Sequence, residues 1–151
     1  FDAEGKVIMA AGLAEENGVL YYYRDGKRTA NAGVLEIDGN YYYVGSGAIA
    51  VTNGTAWVSI TNGLVATGTY RFDAEGHMIL TTEVVNENGI LYYYRDGKRT
   101  ANAGLIEFEG AYYYIDGAAK AVTDTTVWIN NTNGLMEVGS YTFGADGKMI
   151  F

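Results

Sequence analysis

The stretch GVLYYYRDGKRTANAG at residues 18–33 returns as GILYYYRDGKRTANAG at residues 89–104, and the two copies differ only at Val19 and Ile90. Three consecutive tyrosines favour a β-strand, and the Asp-Gly pair that follows them favours a two-residue hairpin turn. The repeated stretch therefore predicts the same strand-and-turn element at two places, one that starts at Gly18 and one that starts at Gly89.

The duplication extends over the whole sequence. Residues 1–71 align with residues 72–142 without a gap, and 40 of the 71 positions are identical. The motif that starts at Phe72 returns once more, slightly changed, from Phe143. A fixed period of this kind is the signature of repeat architectures. We therefore predict a single array with a first repeat at 1–71, a second at 72–142 and the start of a third at 143–151.

The composition and the spacing of the aromatic residues predict an all-β protein. The chain has 21 glycines and 14 tyrosines but no proline. Each repeat contains four aromatic clusters, each followed by a glycine-containing reversal, and in the first repeat they are Tyr21–Tyr23, Tyr41–Tyr43, Trp57, and Tyr70 with Phe72. We therefore predict four hairpins per repeat, stacked into a β-hairpin solenoid, because an isolated hairpin is only marginally stable in water.

The alternation of side chains along a strand separates the tyrosines into two sets. When the turn glycines Gly26 and Gly76 are aligned, Tyr22 falls at the position of Phe72, and both are predicted to face the core. The same logic directs Tyr42 inward. The tyrosines predicted to face outward are Tyr21, Tyr23, Tyr41 and Tyr43, with their copies Tyr92, Tyr94, Tyr112 and Tyr114.

The net charge of −8 and the pI near 4.5 exclude several classes of partner. Nucleic acid binding requires a clustered excess of Lys and Arg, which this chain lacks. The absence of cysteine excludes disulfides and thiolate metal ligands. No apolar run approaches the ~20 residues of a membrane span, so membrane insertion is not expected. Because the sequence begins and ends within the repeat motif, we interpret it as a piece of a longer array.

The ionisable residues form no recognisable catalytic or metal-binding motif. The single histidine, His77, occupies a turn position that is lysine at Lys6 and Lys148, which argues against a catalytic role. Carboxylate pairs such as Glu36 with Asp38 recur in the second repeat, whereas an active site is normally single. No nucleophile elbow, P-loop, EF-hand loop or histidine-rich spacing occurs. The sequence therefore predicts no enzyme, no catalytic residue, no cofactor and no metal site.

Two motifs carry a resemblance to a known family. YRFDAEGHMI at residues 70–79 and LYYYRDGKR at residues 20–28 resemble the Gram-positive cell-wall-binding repeats, which include choline-binding modules, the glucan-binding repeats of glucosyltransferases and the repeats of large clostridial toxins. Met78, two residues after Gly76, also fits the family pattern. The resemblance implies a β-hairpin solenoid, noncatalytic binding of surface polymers, and a place at the cell surface or outside the cell as part of a larger bacterial protein.

The choice of ligand stays open at this stage. In choline-binding relatives, the aromatic residues of successive hairpins form a cage around a quaternary ammonium group. Here the only tryptophans are Trp57 and Trp128, and tyrosine replaces the others. The resemblance therefore implies a cell-wall polysaccharide, a glucan or a choline-type ligand as partner, without deciding among them. The oligomeric state is not indicated.

The outward aromatic side chains are the candidate ligand-binding residues. They are Tyr21, Tyr23, Tyr41, Tyr43, Trp57, Tyr92, Tyr94, Tyr112, Tyr114 and Trp128. One exposed cation–π contact contributes only about 0.5–1 kcal/mol, but an array of copied sites gains through effective concentration. In the alternative interpretation, these rings only pack between hairpins, and the array is a structural spacer or adhesin stalk without a small ligand.

Six of the ten Lys and Arg residues lie beside the repeated tyrosines, at Arg24, Lys27 and Arg28 and at Arg95, Lys98 and Arg99. One interpretation is that they contact the phosphates of teichoic acid-like polymers. The favoured interpretation is a solvated hairpin turn, and a cation–π role within the fold is a further possibility.

Overall fold

The computed structural model describes residues 12–151, and this range consists of antiparallel β-hairpins without an α-helix. The all-β prediction is therefore confirmed. The predictions that concern residues 1–11, including the first copy of the FDAEG motif and Lys6, lie outside the described residues. The chain divides into two compact units, of which the first ends at Ile79 and the second runs from Leu80 to Phe151. No helix between residues 12 and 151 has the length and apolarity that a membrane crossing requires.

The described part of the first unit contains three groups of paired strands, each built around one main hairpin. Its strands are β1 (Gly12–Glu16), β2 (Val19–Arg24), β3 (Lys27–Arg28), β4 (Gly33–Ile37), β5 (Asn40–Val44), β6 (Gly54–Val58), β7 (Gly68–Phe72) and β8 (Met78–Ile79). Strands β1, β2 and β3 pair in that order, β4 pairs with β5, and β6, β7 and β8 again pair in order. A single 3-10 turn at Ser46–Ala48 follows β5.

The second unit repeats this arrangement. Its strands are β9 (Glu83–Glu87), β10 (Ile90–Arg95), β11 (Lys98–Arg99), β12 (Gly104–Phe108), β13 (Ala111–Ile115), β14 (Thr125–Ile129), β15 (Gly139–Phe143) and β16 (Met149–Ile150). The pairings are those of the first unit. Every strand begins one repeat length after its counterpart, so the period of the sequence is also the period of the strands.

The prediction of four hairpins per repeat is matched only in part. Strands pair across the predicted reversals at Asp25-Gly26 (β2–β3), 59–67 (β6–β7) and 73–77 (β7–β8), but two further hairpins, β1–β2 and β4–β5, turn at positions that the prediction did not include. Trp57 on β6 and Tyr70 on β7 belong to the two paired strands of one hairpin. The Asn62-Gly63 pair, which has positive φ angles of 51° and 75°, turns the chain within the longer connection at 59–67. An Asn-Gly signal therefore marks a reversal here but not the tip of a two-residue hairpin.

Two-residue turns set the register of the other hairpins. Asn17 and Gly18 connect β1 to β2 with φ angles of 53° and 81°, and Asp38 and Gly39 connect β4 to β5 with 52° and 83°. Positive φ at both turn residues matches the right-handed twist of the flanking strands, and Asn, Asp and Gly tolerate that conformation best. The resulting register places Tyr42 opposite Leu35.

Backbone hydrogen bonds join neighbouring hairpins within the first unit. The Ala50 N–H donates to the Leu20 carbonyl at 2.9 Å, which links the segment after β5 to β2. The Val34 N–H donates to the Ile60 carbonyl at 2.9 Å, which links β4 to the β6–β7 connection. The approach at this second link is close, because a Cβ atom added at Gly33 would lie 2.5 Å from the Ile60 carbonyl oxygen.

The core of the first unit lies between successive hairpins. One cluster contains Tyr22, Val44 and Ala50, and a second contains Val34, Val58, Tyr70, Phe72 and Met78. Complete burial of such a side chain contributes about 1.5–3 kcal/mol relative to exposure. Tyr22, Tyr42, Tyr70 and Phe72 are buried, as the turn-glycine alignment predicts. Each hairpin therefore buries its apolar face against the next one.

Candidate functional site

The two tryptophans are the most exposed of the predicted ligand-binding residues. Trp57 on β6 is 64% exposed and Trp128 on β14 is 60% exposed, whereas the next residues along each strand, Val58 and Ile129, are fully buried. Because strand side chains alternate between faces, burial of the following residue directs each indole toward solvent. The partner residue across the hairpin is small in both units, Thr69 in the first and Ser140 in the second.

Hydroxyl and amide groups surround the exposed indole of the second unit. The Trp128 Nε1–H donates to the Asn130 Oδ1 atom at 3.1 Å, which sets the orientation of the ring. Thr126, two residues before Trp128 on the same face, forms a hydroxyl–hydroxyl hydrogen bond of 2.8 Å with Thr142. Both threonines also line a shallow groove of about 530 Å³. An open aromatic face beside hydroxyl groups can stack on a sugar ring and hydrogen-bond to its edges.

A stacked arginine covers one face of the first tyrosine in each repeated stretch. The Arg28 guanidinium carbon lies 3.7 Å from the centre of the Tyr21 ring, and Arg99 lies at the same distance from Tyr92. These distances fall well inside the ~6 Å range of a cation–π contact. Arg28 and Arg99 therefore have the cation–π role within the fold that the sequence left as a further possibility, while Arg28 is also exposed to solvent. Arg24 and Arg95 are exposed as well, and each lies 5.6 Å from a ring centre, that of Tyr22 or Tyr93.

The last tyrosine of each repeated stretch binds a glutamate on the preceding strand. The Tyr23 hydroxyl donates to Glu16 at 2.9 Å, and the Tyr94 hydroxyl donates to Glu87 at 2.6 Å. Arg99 donates to the Tyr94 hydroxyl oxygen at 3.0 Å. Because both hydrogen-bonding functions of its hydroxyl have partners, the whole Tyr94 side chain can be withdrawn from water.

Tyr94 therefore departs from the predicted outward orientation. It is fully buried, whereas its copy Tyr23 is half-buried. Burial, reinforced by the hydrogen bond to Glu87, raises the pKa of Tyr94 to about 12. In the first unit, the hydrogen bonds from Arg28 and Tyr23 lower the pKa of Glu16. These groups form a polar cluster that closes the first hairpin of each unit.

The tyrosines of the second hairpin that are predicted to face outward are half-buried in each unit. Tyr41 and Tyr43 pack against the cluster that contains Val34 and Phe72, and Tyr112 and Tyr114 pack against the cluster that contains Leu105 and Phe143. These rings therefore contact the neighbouring hairpin with part of their surface and present the remainder to solvent. The structure does not bring all ten candidate residues into one site.

The residues that sequence reasoning missed are Glu16 and Glu87. Each binds a tyrosine of its repeated stretch, and each forms an ion pair with an arginine of the same stretch, Arg28 or Arg99. One available signal is that both glutamates stand at the same repeat position, just before the Asn-Gly turn, although the strand around them varies between the repeats.

A comparison with known protein sequences finds one relative. Glucosyltransferase-S of Streptococcus mutans is 30% identical over 168 aligned residues, which cover 99% of this chain and 11% of the relative. The chain therefore spans about a tenth of the length of the curated relative that it matches. No protein-family model matches the chain.

A solved structure decides the fold. The crystal structure of CbpF in complex with ipratropium matches with a TM-score of 0.59 and 21% identity, over 100% of this chain and 41% of the CbpF chain. CbpF is the choline-binding protein F of Streptococcus pneumoniae. The chain shares the fold of the choline-binding repeat proteins. At the level of the fold, the resemblance to Gram-positive cell-wall-binding repeats that the sequence indicates is therefore confirmed.

The choline-binding repeat fold also occurs in a second solved structure, whose name is that of an enzyme. Truncated alternansucrase from Leuconostoc mesenteroides matches with a TM-score of 0.52 and 21% identity, over 80% of this chain and 10% of the alternansucrase chain. Repeats of this fold therefore occur in chains far longer than the part that the match covers.

Proposed function

We propose that the chain is a noncatalytic glycan-binding module that attaches a larger secreted or cell-surface bacterial protein to a cell-wall polysaccharide or glucan. The observation that carries this proposal is the exposure of Trp57 and Trp128, 64% and 60%, at equivalent positions of two units. An exposed indole offers a flat apolar face and an N–H donor to a ligand, and here it recurs at the same position of both units. The name of the relative glucosyltransferase-S supports a glucan context.

The proposed mechanism is aromatic stacking with hydrogen bonds at the edges of the sugar. A pyranose ring stacks on Trp128, while Thr126, Asn130 and Thr142 offer hydroxyl and amide groups beside it. Within each unit, the exposed parts of the second-hairpin tyrosines, Tyr41 and Tyr43 or Tyr112 and Tyr114, offer further apolar surface. Each contact is weak, but sites that recur once in every repeat bind a polymer together, because the first contact raises the local concentration of the next sugar.

We extend the proposal to the arrangement of the repeats. Repeats 1–71, 72–142 and the start of a third at 143–151 continue as one β-hairpin solenoid. In support, hairpins in each unit stack through backbone hydrogen bonds, and every strand recurs with the period of the sequence repeat. A surface that is copied with each repeat suits a binding array better than a single catalytic centre.

A glycan suits the tryptophan surroundings better than a choline-type ligand. A quaternary ammonium group is bound best inside a cage of several aromatic faces. The residues across the hairpin from the indoles are Thr69 and Ser140, which are hydroxyl donors and not aromatic walls. Choline-type ligands therefore remain the alternative that a competition experiment distinguishes.

A structural spacer is the second candidate function. One observation favours it: Arg28 lies over the ring of Tyr21 and Arg99 over that of Tyr92. These ring faces therefore contact residues of the same chain. In that case the tyrosines only hold the hairpins together. The exposed tryptophans have no role in a spacer, which is why we favour glycan binding.

The test compares tryptophan variants on immobilised wall polysaccharide and glucan. We expect Trp57→Ala or Trp128→Ala to weaken binding about three- to tenfold, for a stacking contribution of about 0.5–1.5 kcal/mol, and the double variant to weaken it about ten- to a hundredfold. Ile49→Ala, which truncates another exposed apolar side chain, is the matched control and keeps full binding. Undiminished retention by the double variant contradicts the proposal. Competition by choline instead of glucose oligomers identifies the alternative ligand.

A further inference from the structure

The turn after β7 brings three metal-ligating side chains together. Asp73, Glu75 and His77 each offer one ligand atom, and these atoms lie within 4.8 Å of one another. The His77 Nδ1 atom and the Asp73 Oδ2 atom are 3.6 Å apart. Two carboxylates and an imidazole are a donor set that zinc and related transition-metal ions bind.

The backbone of this turn holds Asp73 in a fixed orientation. Its Oδ1 atom accepts hydrogen bonds from the Glu75 N–H at 3.0 Å and the His77 N–H at 2.9 Å. Its carbonyl accepts two more, from the Gly76 N–H at 3.0 Å and the Asn53 N–H at 2.9 Å. The Oδ1 atom of Asp73 thus accepts hydrogen bonds within the turn, whereas the Oδ2 atom lies on the side of His77.

The separation of 3.6 Å between the His77 and Asp73 atoms fits a shared metal ion better than a direct hydrogen bond. A nitrogen and an oxygen at this distance are too far apart for a normal hydrogen bond. Two ligands bound to zinc at about 2.0–2.2 Å in tetrahedral geometry lie about 3.4 Å apart. Asp73 and His77 therefore have nearly the spacing that a bound ion requires.

The histidine ring is positioned by packing, and it is still accessible. Its ring meets the ring of the buried Tyr42 edge to face, with centroids 5.3 Å apart and planes at 79°. The side chains of His77 and Asp73 are 35% and 37% exposed. An ion from solution can therefore reach a pair of ligands whose orientations are already set.

We propose that Asp73, Glu75 and His77 bind a divalent transition-metal ion of the zinc, nickel or cobalt class. Water completes the coordination shell. The imidazole ligand selects these ions over calcium and magnesium, which prefer oxygen ligands only. The sequence alone predicts no metal site, because the three ligands alternate within one five-residue turn and match no known motif.

The second unit contains a natural control for this site. Its equivalent turn has Gly144 at the position of Asp73, Asp146 at that of Glu75, and Lys148 at that of His77. The backbone conformation is kept, since Gly147 has a φ of 78° and Gly76 has 83°. The variants His77→Lys and Asp73→Gly therefore introduce residues that the same fold already accommodates.

The test is a titration with Zn²⁺ followed by NMR of the only histidine in the chain. We expect saturable shifts of the His77 ring resonances and a higher melting temperature with Zn²⁺, both reversed by a chelator, and neither with Mg²⁺. The melting shift is lost in His77→Lys and in Asp73→Gly, while Asp146→Asn, in the second unit, keeps the full response. Unchanged His77 resonances at millimolar Zn²⁺, or the same melting shift in His77→Lys, overturn the proposal. Neither readout depends on glycan binding, so the proposed function can fail or hold independently.

Discussion

Arg99 lies over the ring of Tyr92, with its guanidinium carbon 3.7 Å from the ring centre. The same arginine forms an ion pair with Glu87 at 2.7 Å, and the side chains of this pair are only 24% and 23% exposed. In the first unit, Arg28 and Glu16 form the equivalent pair, but their side chains are 49% and 41% exposed. The side chains of this ion pair are therefore less exposed to water in the second unit than in the first.

This difference predicts unequal effects of the same substitution. We expect Arg99→Lys to lower the free energy of unfolding by about 1 kcal/mol, because lysine keeps the charge but loses the planar stacking and the forked hydrogen bonds. Arg28→Lys has a smaller effect, since water and salt screen an exposed pair. Urea unfolding at low and high salt measures both variants. Equal losses in the two units would contradict this account of the polar cluster.

The raised pKa of Tyr94 predicts a loss of stability in alkali. The unfolded chain releases this proton near the ordinary value of 10, whereas the folded chain holds it to about 12. The contribution is fully present below pH 10 and is lost as the pH rises from 10 to 12, because the unfolded state then binds fewer protons. The loss is at most about 2.7 kcal/mol, from two pKa units at about 1.36 kcal/mol each.

The comparison of Tyr94→Phe with the parent chain tests this prediction. Removal of the Tyr94 hydroxyl flattens the decline of the unfolding free energy between pH 10 and 12. Tyrosinate absorbance recorded during the same titration shows one late-ionising tyrosine fewer in the Tyr94 variant. An unaltered decline in Tyr94→Phe would show that other groups cause it.

The close approach of hairpins at Gly33 predicts a position-specific cost for alanine. Gly33 and Gly39 both have positive φ angles, 78° and 83°, so alanine strains the backbone by about 1–2 kcal/mol at either position. A Cβ at position 33 also meets the Ile60 carbonyl oxygen at 2.5 Å, whereas no atom lies within 4 Å of a Cβ at position 39. We expect Gly33→Ala to cost about 1–3 kcal/mol more than Gly39→Ala in thermal unfolding. Similar losses would mean that the contact between hairpins relaxes easily.

The side chain of Asn62 fastens the β6–β7 connection to the second hairpin. Its amide group donates to the Ala32 carbonyl at 2.7 Å and to the Val34 carbonyl at 2.9 Å. We expect Asn62→Gly to cost about 1–3 kcal/mol, because glycine keeps the positive φ of 51° but leaves two carbonyls without this donor. Asn88→Gly, at a turn position with a φ of 55°, is the matched control and stays within about 0.5 kcal/mol of the parent. An Asn62→Gly variant with unchanged stability would show that backbone hydrogen bonds alone hold the connection to the second hairpin.

The sequence predicts the fold class well because the fold depends on local signals. The alternation around Tyr22 and Phe72 and the paired positive-φ turn residues are readable from short windows, and the strand and turn patterns recur in the second repeat. The number of hairpins is not local information. Whether the strand of Trp57 pairs with that of Tyr70 depends on contacts across the connection at 59–67, which a turn motif such as Asn62-Gly63 does not reveal.

The candidate site is only partly predictable for a similar reason. Strand alternation places Tyr21 and Tyr92 on the outer face, but it cannot show that an arginine then covers each ring. Identical residues also differ in burial, since Tyr94 is fully buried and Tyr23 is half-buried. Local sequence determines on which face of a strand a side chain lies, whereas the neighbouring residues determine how much of that side chain is exposed to water.

The unequal lengths of the connections determine where such an array can diversify. A two-residue turn such as Asn17-Gly18 cannot gain a residue without shifting the register of its strands. The longer connections at 59–67 and 130–138 begin beside the exposed indoles and already carry different side chains, such as Ala66 in one and Glu137 in the other. Under the proposed glycan-binding function, successive copies can therefore acquire different sugar preferences by drift in these two loops while the paired strands stay unchanged.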